Sequence, residues 1–241
     1  MKGAVIGFDL GAGAILTAGL TAWLTEPWPG NAWPVLAALA AYAPLAAILA
    51  HQLPGGNRMG WANRVTLLRA VIACALAGSL VEPELFRDRA WAVIPLVLTA
   101  LVLDGLDGWL ARRLDESSTL GARFDMETDA ALILVLCCAL WLSGLAPAWV
   151  LAIGLMRPAF VLAGLLLPWL SAPLPDRFRR KLVCVVQVAV LPTALLPILP
   201  EALRVTLLAG ALLALAVSFA IDAAWLFRRH RASNPTQWRT P

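Results

Sequence analysis

The chain has 241 residues, 61% of them hydrophobic and 14% charged, with a net charge of +4 and a mean hydropathy of +0.78. A soluble domain averages about 45–50% apolar and about 25% charged residues. Disordered, collagen-like and disulfide-scaffold chains are therefore excluded, and an ordinary soluble enzyme is disfavoured. Several apolar runs reach about 20 residues, the length a helix needs to cross a bilayer, so the chain reads as an all-α, multi-span integral membrane protein. Excess Lys and Arg in such a chain mark cytoplasmic loops and anionic headgroups, so no nucleic-acid partner is expected.

Eight candidate spans follow in order, over 3–24, 32–52, 62–82, 90–111, 122–144, 147–170, 182–199 and 202–227. Pro and Gly clusters at 26–30, 54–56 and 173–175 separate several of them. The first span follows Lys2 and exceeds the ~7–15-residue apolar core of a signal peptide, so a retained helix is expected. Trp23, Trp28, Trp33, Trp61, Trp91 and Trp149 sit near proposed ends, as interfacial anchors do. Cys74, Cys137, Cys138 and Cys184 lie inside apolar runs without metal-ligand spacing and take no function. With the N-terminus inside, 14 of the Lys and Arg residues fall in inside loops and 3 outside, and Arg69 and Arg157 lie within spans. That asymmetry predicts both termini in the cytoplasm, with the basic stretch from Arg228 onward as a cytoplasmic tail.

The informative residues are acids at the predicted cytoplasmic ends of the fourth and fifth spans. Asp104 and Asp107 are three apart, with Gly108 and Ala111 continuing the same side, while Asp125 and Asp129 are four apart and Gly121 precedes them by four. Residues three and four apart are surface neighbours on a helix. Two antiparallel helices joined by a short loop can then aim all four carboxylates at one another. Such a cluster repels itself unless cations compensate it. Mg²⁺ prefers oxygen ligands and is often held by a few carboxylates together with substrate phosphates, and two ions about 4 Å apart suit phosphoryl-type transfer. Intramembrane acids also mark ion pathways, so a transporter with an acidic site and a non-catalytic membrane scaffold stay open at this point.

The stretch from Asp104 to Asp129 reads DGLDGWLARRLDESSTLGARFDMETD and resembles the signature of the CDP-alcohol phosphotransferase (CDP-alcohol phosphatidyltransferase) family, D-x2-D-G-x2-A-R-x8-G-x3-D-x3-D. All its fixed positions are present: Asp104, Asp107, Gly108, Ala111, Arg112, Gly121, Asp125 and Asp129. Upstream, Asn63, Thr66 and Arg69 resemble the family's N-x2-T-x2-R sequence. The resemblance implies a six-helix core over 57–228, preceded by a two-helix membrane extension over 1–56 and followed by a basic tail over 229–241. It implies transfer of a phosphatidyl group from CDP-diacylglycerol to a small alcohol, with release of CMP. Asp104, Asp107 and Asp125 would then be metal ligands for two Mg²⁺ (or Mn²⁺) ions. Asp129 would contact the metal site and act as general base. Asn63, Thr66, Gly108, Ala111, Arg112, Gly121 and the loop residue Ser118 would line the CDP site. By the same analogy the protein would sit in a bacterial inner membrane, with its site on the cytoplasmic side, and related folds form homodimers.

For the acceptor, Arg157 is an intramembrane cation, and Arg180 and Lys181 belong to a basic cluster before the seventh span. Arg and Lys recognise phosphate. Arg157-Pro158 departs from the Arg-Glu pair common in glycerophosphate-using relatives, and Val183 and Cys184 stand where those relatives carry Lys and Thr. A small phosphorylated polyol is expected, glycerol 3-phosphate first, with inositol phosphate, inositol, serine and choline as alternatives.

Overall fold

The computed structural model describes residues 4–26, 30–52, 59–114, 118–172 and 178–233, and every regular element among them is helical. α1 (Ala4–Thr25) and α2 (Trp33–Gln52) come first. They are followed by α3 (Trp61–Ser79), a single turn α4 (Leu85–Asp88), α5 (Ala90–Arg113) and α6 (Thr119–Leu142). Then come α7 (Leu151–Leu166), entered through a 3-10 turn at Ala148–Val150, α8 (Phe178–Ala194) and α9 (Glu201–Ser233). The long helices fall where hydropathy placed the spans, with ends displaced by a few residues. The Pro/Gly clusters at 27–29, 54–56 and 173–175 lie outside the described residues.

Among the described residues, five helices are long and apolar enough to cross a membrane: α1, α2, α5, α7 with its leading turn, and α9. The other three long helices carry charge. α3 holds Arg64 and Arg69, α6 holds Arg123, Asp125, Glu127 and Asp129, and the 17-residue α8 begins Phe-Arg-Arg-Lys. The outer surface is apolar, with Phe8, Ile15, Leu165, Leu166, Phe178 and Ile198 between 74% and 79% exposed. An apolar exterior of that extent suits a lipid surround.

α3 is the hub. It packs against α1, α2, α5 and α6, and Leu67 to Leu76 are buried except Leu68. One core cluster joins Phe86, Val93, Val97, Leu136, Leu191 and Leu208. A second joins Tyr42 and Leu49 of α2 to Leu67 of α3 and Phe124 of α6. Bilayer helices gain little hydrophobic drive from association and rely on close packing at small residues. Gly78 lets α3 touch the Pro34 carbonyl and Ala38 of α2, and Gly154 lets α7 approach Leu134 of α6. Several buried hydroxyls find acceptors within their own helix. Thr17, Thr21 and Thr25 each donate to the carbonyl four residues back.

Two arginines of the expected outer set close helix ends, where carbonyls lack intrahelical partners. Arg89 donates to the Trp23 and Leu24 carbonyls of α1, at 2.8 Å each. Arg204 donates to those of Ala194 at the end of α8 and of Leu196 and Leu199 beyond it. The expected tail is helical in its first part, because α9 continues through Arg228 to Ser233. His230 stacks on Trp169 and Arg231 lies over Phe227, and cations in a last turn complement the helix dipole. Residues 234–241 lie outside the described part.

Candidate active site

Asn63, Thr66 and Arg69 lie three residues apart on α3 and so share one side of it. α5 brings Asp104, Asp107, Gly108 and Ala111, and α6 brings Gly121, Asp125 and Asp129. α5 and α6 do not pack along each other, as a simple helical hairpin would. Both pack on α3. The carboxylates meet there because Arg69 projects from α3 to their centre.

Arg69 is 1% exposed and pairs with all four acids. Its Nη1 donates to Asp107 Oδ2 at 2.8 Å and to Asp125 Oδ1 at 2.5 Å. Its Nη2 lies 2.9 Å from Asp104 Oδ1 and also donates to Asp129 Oδ1. Thr66 completes the shell of Asp107 by donating to the same Oδ2 at 2.9 Å. Asp107 is the buried acid of the four, and the others are a third or more exposed. One guanidinium faces four carboxylates, so the cluster keeps an excess of negative charge. Asp104, Asp107 and Asp125 each place an oxygen within 4.8 Å of the others. An all-oxygen, electron-rich set of this kind fits a hard divalent cation. Asp129 stands beside that group rather than in it.

A cavity of about 200 Å³ opens against these acids. Its wall includes Asn63, Thr66, Gly108, Ala111, Ser118 and Gly121, together with Asp107 and Asp125. Six residues expected at the CDP site therefore line one space. The Arg112 side chain lies outside the described residues. Ser118 is also the N-cap of α6, its hydroxyl accepting from the Gly121 N–H at 3.0 Å. Gly121 is small for a steric reason, since a Cβ there would sit 2.8 Å from Asn63 Oδ1.

A second cavity of about 340 Å³ lies between α6, α7, α8 and α9. Arg157 and Arg180 both line it, and the Lys181 side chain lies outside the described residues. Arg157 donates to Glu127 Oε1 at 3.2 Å, while its Nε is buried without a partner. Gln187, 2% exposed, donates to the Ala211 carbonyl and leaves its Oε1 unsatisfied in the same wall. Arg179 bonds Ser218 and Asp222 of α9, fixing the start of α8. Cys184 lines this cavity and also a small one beside Asp129, so Asp129 stands between the acidic cluster and the Arg157 side.

Arg69 stands in a sequence motif that by itself gives it no role. The available signal was its depth, because an intramembrane cation needs anionic partners.

Lipid-facing helices around a carboxylate cluster of this kind define a membrane-embedded acidic site that could hold a cation. Residues 59–221 match the sequence profile of the CDP-alcohol phosphatidyltransferase family, and the chain belongs to that family. The match begins after α2. The chain is 30% identical over 126 residues to the probable cardiolipin synthase (CMP-forming) of Drosophila melanogaster. That alignment covers 52% of this chain and 38% of the relative. No solved structure matches the chain.

Proposed function

We propose that the protein transfers a phosphatidyl group from CDP-diacylglycerol to an alcohol and releases CMP. The observation that carries this reading is the convergence of Asp104, Asp107, Asp125 and Asp129 on Arg69, with a cavity walled by Asn63, Thr66 and Gly121 opening against Asp107 and Asp125. Asp104, Asp107 and Asp125 would hold two Mg²⁺ (or Mn²⁺) ions, with Asp129 beside them. When bound, the ions supply charge neutralisation to the donor pyrophosphate and the leaving CMP.

The chain's own residues do the rest. Asn63, Thr66, Gly108, Ala111, Arg112, Ser118 and Gly121 receive the cytidine diphosphate portion. Asp129 takes the acceptor proton as the acceptor oxygen bonds to the phosphatidyl phosphorus and the bond to CMP breaks. One Asp129 oxygen is engaged by Arg69, and Oδ2 makes no hydrogen bond among the described residues, which suits a base contributing about 10²–10⁴-fold. Arg157, Arg180 and Lys181 hold an acceptor phosphate. Under the charge rule the site faces the cytoplasm with both termini.

The leading acceptor is a small phosphorylated polyol, glycerol 3-phosphate first. A lipid-borne acceptor is the second reading. The second cavity is walled largely by apolar groups such as Ile153, Phe160, Leu215 and Phe219. The family relative is named for cardiolipin, a product carrying two phosphatidyl groups on one glycerol. The test is CMP release by the purified chain from CDP-diacylglycerol with Mg²⁺, across glycerol 3-phosphate, phosphatidylglycerol, inositol phosphate, inositol, serine and choline. Release that depends on one acceptor and vanishes in Asp129→Asn is expected. Substrate movement across vesicles without CMP release would replace this reading with a transporter.

A further inference from the structure

A third cavity, of about 460 Å³, lies between α2, α3 and α6. It exceeds both cavities at the site, and the reaction as read above gives it no task. Its wall is mostly apolar, with Pro44 and Ile48 from α2, Ala73 and Cys74 from α3, and Phe124 from α6. Its polar groups sit on the last residue of α2 and along the first turns of α6. Gln52 ends α2, and Arg123 makes no hydrogen bond or ion pair among the described residues. Thr128 directs its hydroxyl to the Phe124 carbonyl at 2.8 Å, and Glu127 is engaged by Arg157. An apolar trough with a cation at its mouth matches an anionic amphiphile, tail inward.

Position and length point the same way. From Ala41 to Gln52 the lining extends about 16 Å along α2 at 1.5 Å per residue, close to half of a ~30 Å hydrocarbon core. Gly121 and Ala122 line the donor cavity, while Leu120 and Arg123 line the trough. The two spaces therefore flank the same turn of α6, and a headgroup in one is a single turn from a tail in the other.

We infer that this trough holds an acyl chain of the donor lipid, so that α2, which lies outside the family-matched residues, selects the donor by its tail. The inference rests on the reading of the donor as CDP-diacylglycerol, and its test is built to fail separately from that reading. The full chain in phosphatidylcholine nanodiscs is given CDP-diacylglycerol with a diazirine midway along one acyl chain, and the photolabelled residues are mapped. Label is expected on 33–52 and near Ala73, displaced by excess dioleoyl CDP-diacylglycerol and not by added phosphatidylcholine. Label confined to other helices, or displaced equally by phosphatidylcholine, overturns the inference whether or not the chain turns over.

Kinetics give the second arm. Ile48→Trp and Ala73→Phe fill the trough from two different helices. Each should lower kcat/KM for a dioleoyl donor relative to a dihexanoyl one about tenfold, the scale of leaving two methylenes unburied. Equal losses with both donors, or none, overturn the inference. No turnover of either donor by the unsubstituted chain sinks the reaction reading and leaves the labelling to decide this one.

Discussion

Arg69 Nη1 lies 2.8 Å from Asp107 Oδ2, and both side chains are almost wholly buried, at 1% and 5% exposure. This pair anchors the acidic cluster to α3, and its removal strands negative charge. Breaking a buried pair by deleting one partner costs about 3–5 kcal/mol. Arg69→Ala should therefore unfold at a clearly lower temperature than the unsubstituted chain. Added Mg²⁺ should raise its Tm by more than it raises that of the parent, because cations then supply the whole compensation. Equal Mg²⁺ shifts in the two proteins would show that Arg69 is not the cluster's principal counter-charge.

Asp129 is assigned proton removal, so Asp129→Asn should lower kcat by about 10²–10⁴-fold. Mg²⁺-dependent binding of a CDP-donor analogue should persist, since the three convergent acids remain. Chelation by EDTA should abolish CMP release in the parent, with recovery on adding Mg²⁺. Full turnover in Asp129→Asn would remove the base assignment while leaving the metal site intact.

The four acids were legible in the sequence because their spacing is local, and helical periodicity alone puts Asp104 with Asp107 and Asp125 with Asp129. The cavity wall around Asn63 and Gly121 was legible only through the family resemblance. Arg69 was not, because its partners lie 35 to 60 residues away and only the packing of α5 and α6 on α3 brings them together. The same holds for α5 and α6, whose short connection suggests a packed hairpin although both rest on α3. α4 escaped notice because four residues carry no periodicity. The helical start of the tail is held by aromatic stacking that hydropathy does not register.

Gly121 offers a steric test of the donor cavity. A methyl there would stand 2.8 Å from Asn63 Oδ1 and 3.1 Å from the Ser118 hydroxyl that caps α6. Gly121→Ala should raise KM for the CDP donor by about tenfold, the scale of one hydrogen bond to a charged group. Its acceptor KM should stay near the parent value. Gly105→Ala is the control, since its Cβ meets nothing within 4 Å. Helix propensity makes that change stabilising by about 0.5–1 kcal/mol. If both variants behave alike, the Asn63 wall is not part of donor recognition.

Arg157 offers the corresponding test of the acceptor cavity. Its Nε is buried without a partner and its Nη2 is held by Glu127. Arg157→Ala should raise the acceptor KM at saturating donor by about tenfold or more, the scale of a charge-assisted hydrogen bond. Arg157→Lys should recover only part of it, because a point charge does not reproduce a planar fork. An unchanged acceptor KM would leave Arg157 as a partner of Glu127 alone.

Asp9 ties the N-terminal pair to the site. Arg64 Nε and Nη2 both donate to Asp9 Oδ2 at 3.1 Å, and the guanidinium lies over Trp61 at 4.9 Å. Arg64 is the neighbour of Asn63, so α1 steadies the stretch of α3 that walls the donor cavity. The pair is partly exposed, which limits its direct worth to on the order of 1 kcal/mol. Asp9→Asn should therefore leave the fold intact and raise the donor KM a few-fold, with the acceptor KM unmoved. Exchanging the charges as Asp9→Arg with Arg64→Asp should recover most of the donor KM that either single change loses. Losses that simply add in the double variant would show that the two side chains act independently. α1 would then contribute packing to the bundle and no positioning to the donor wall.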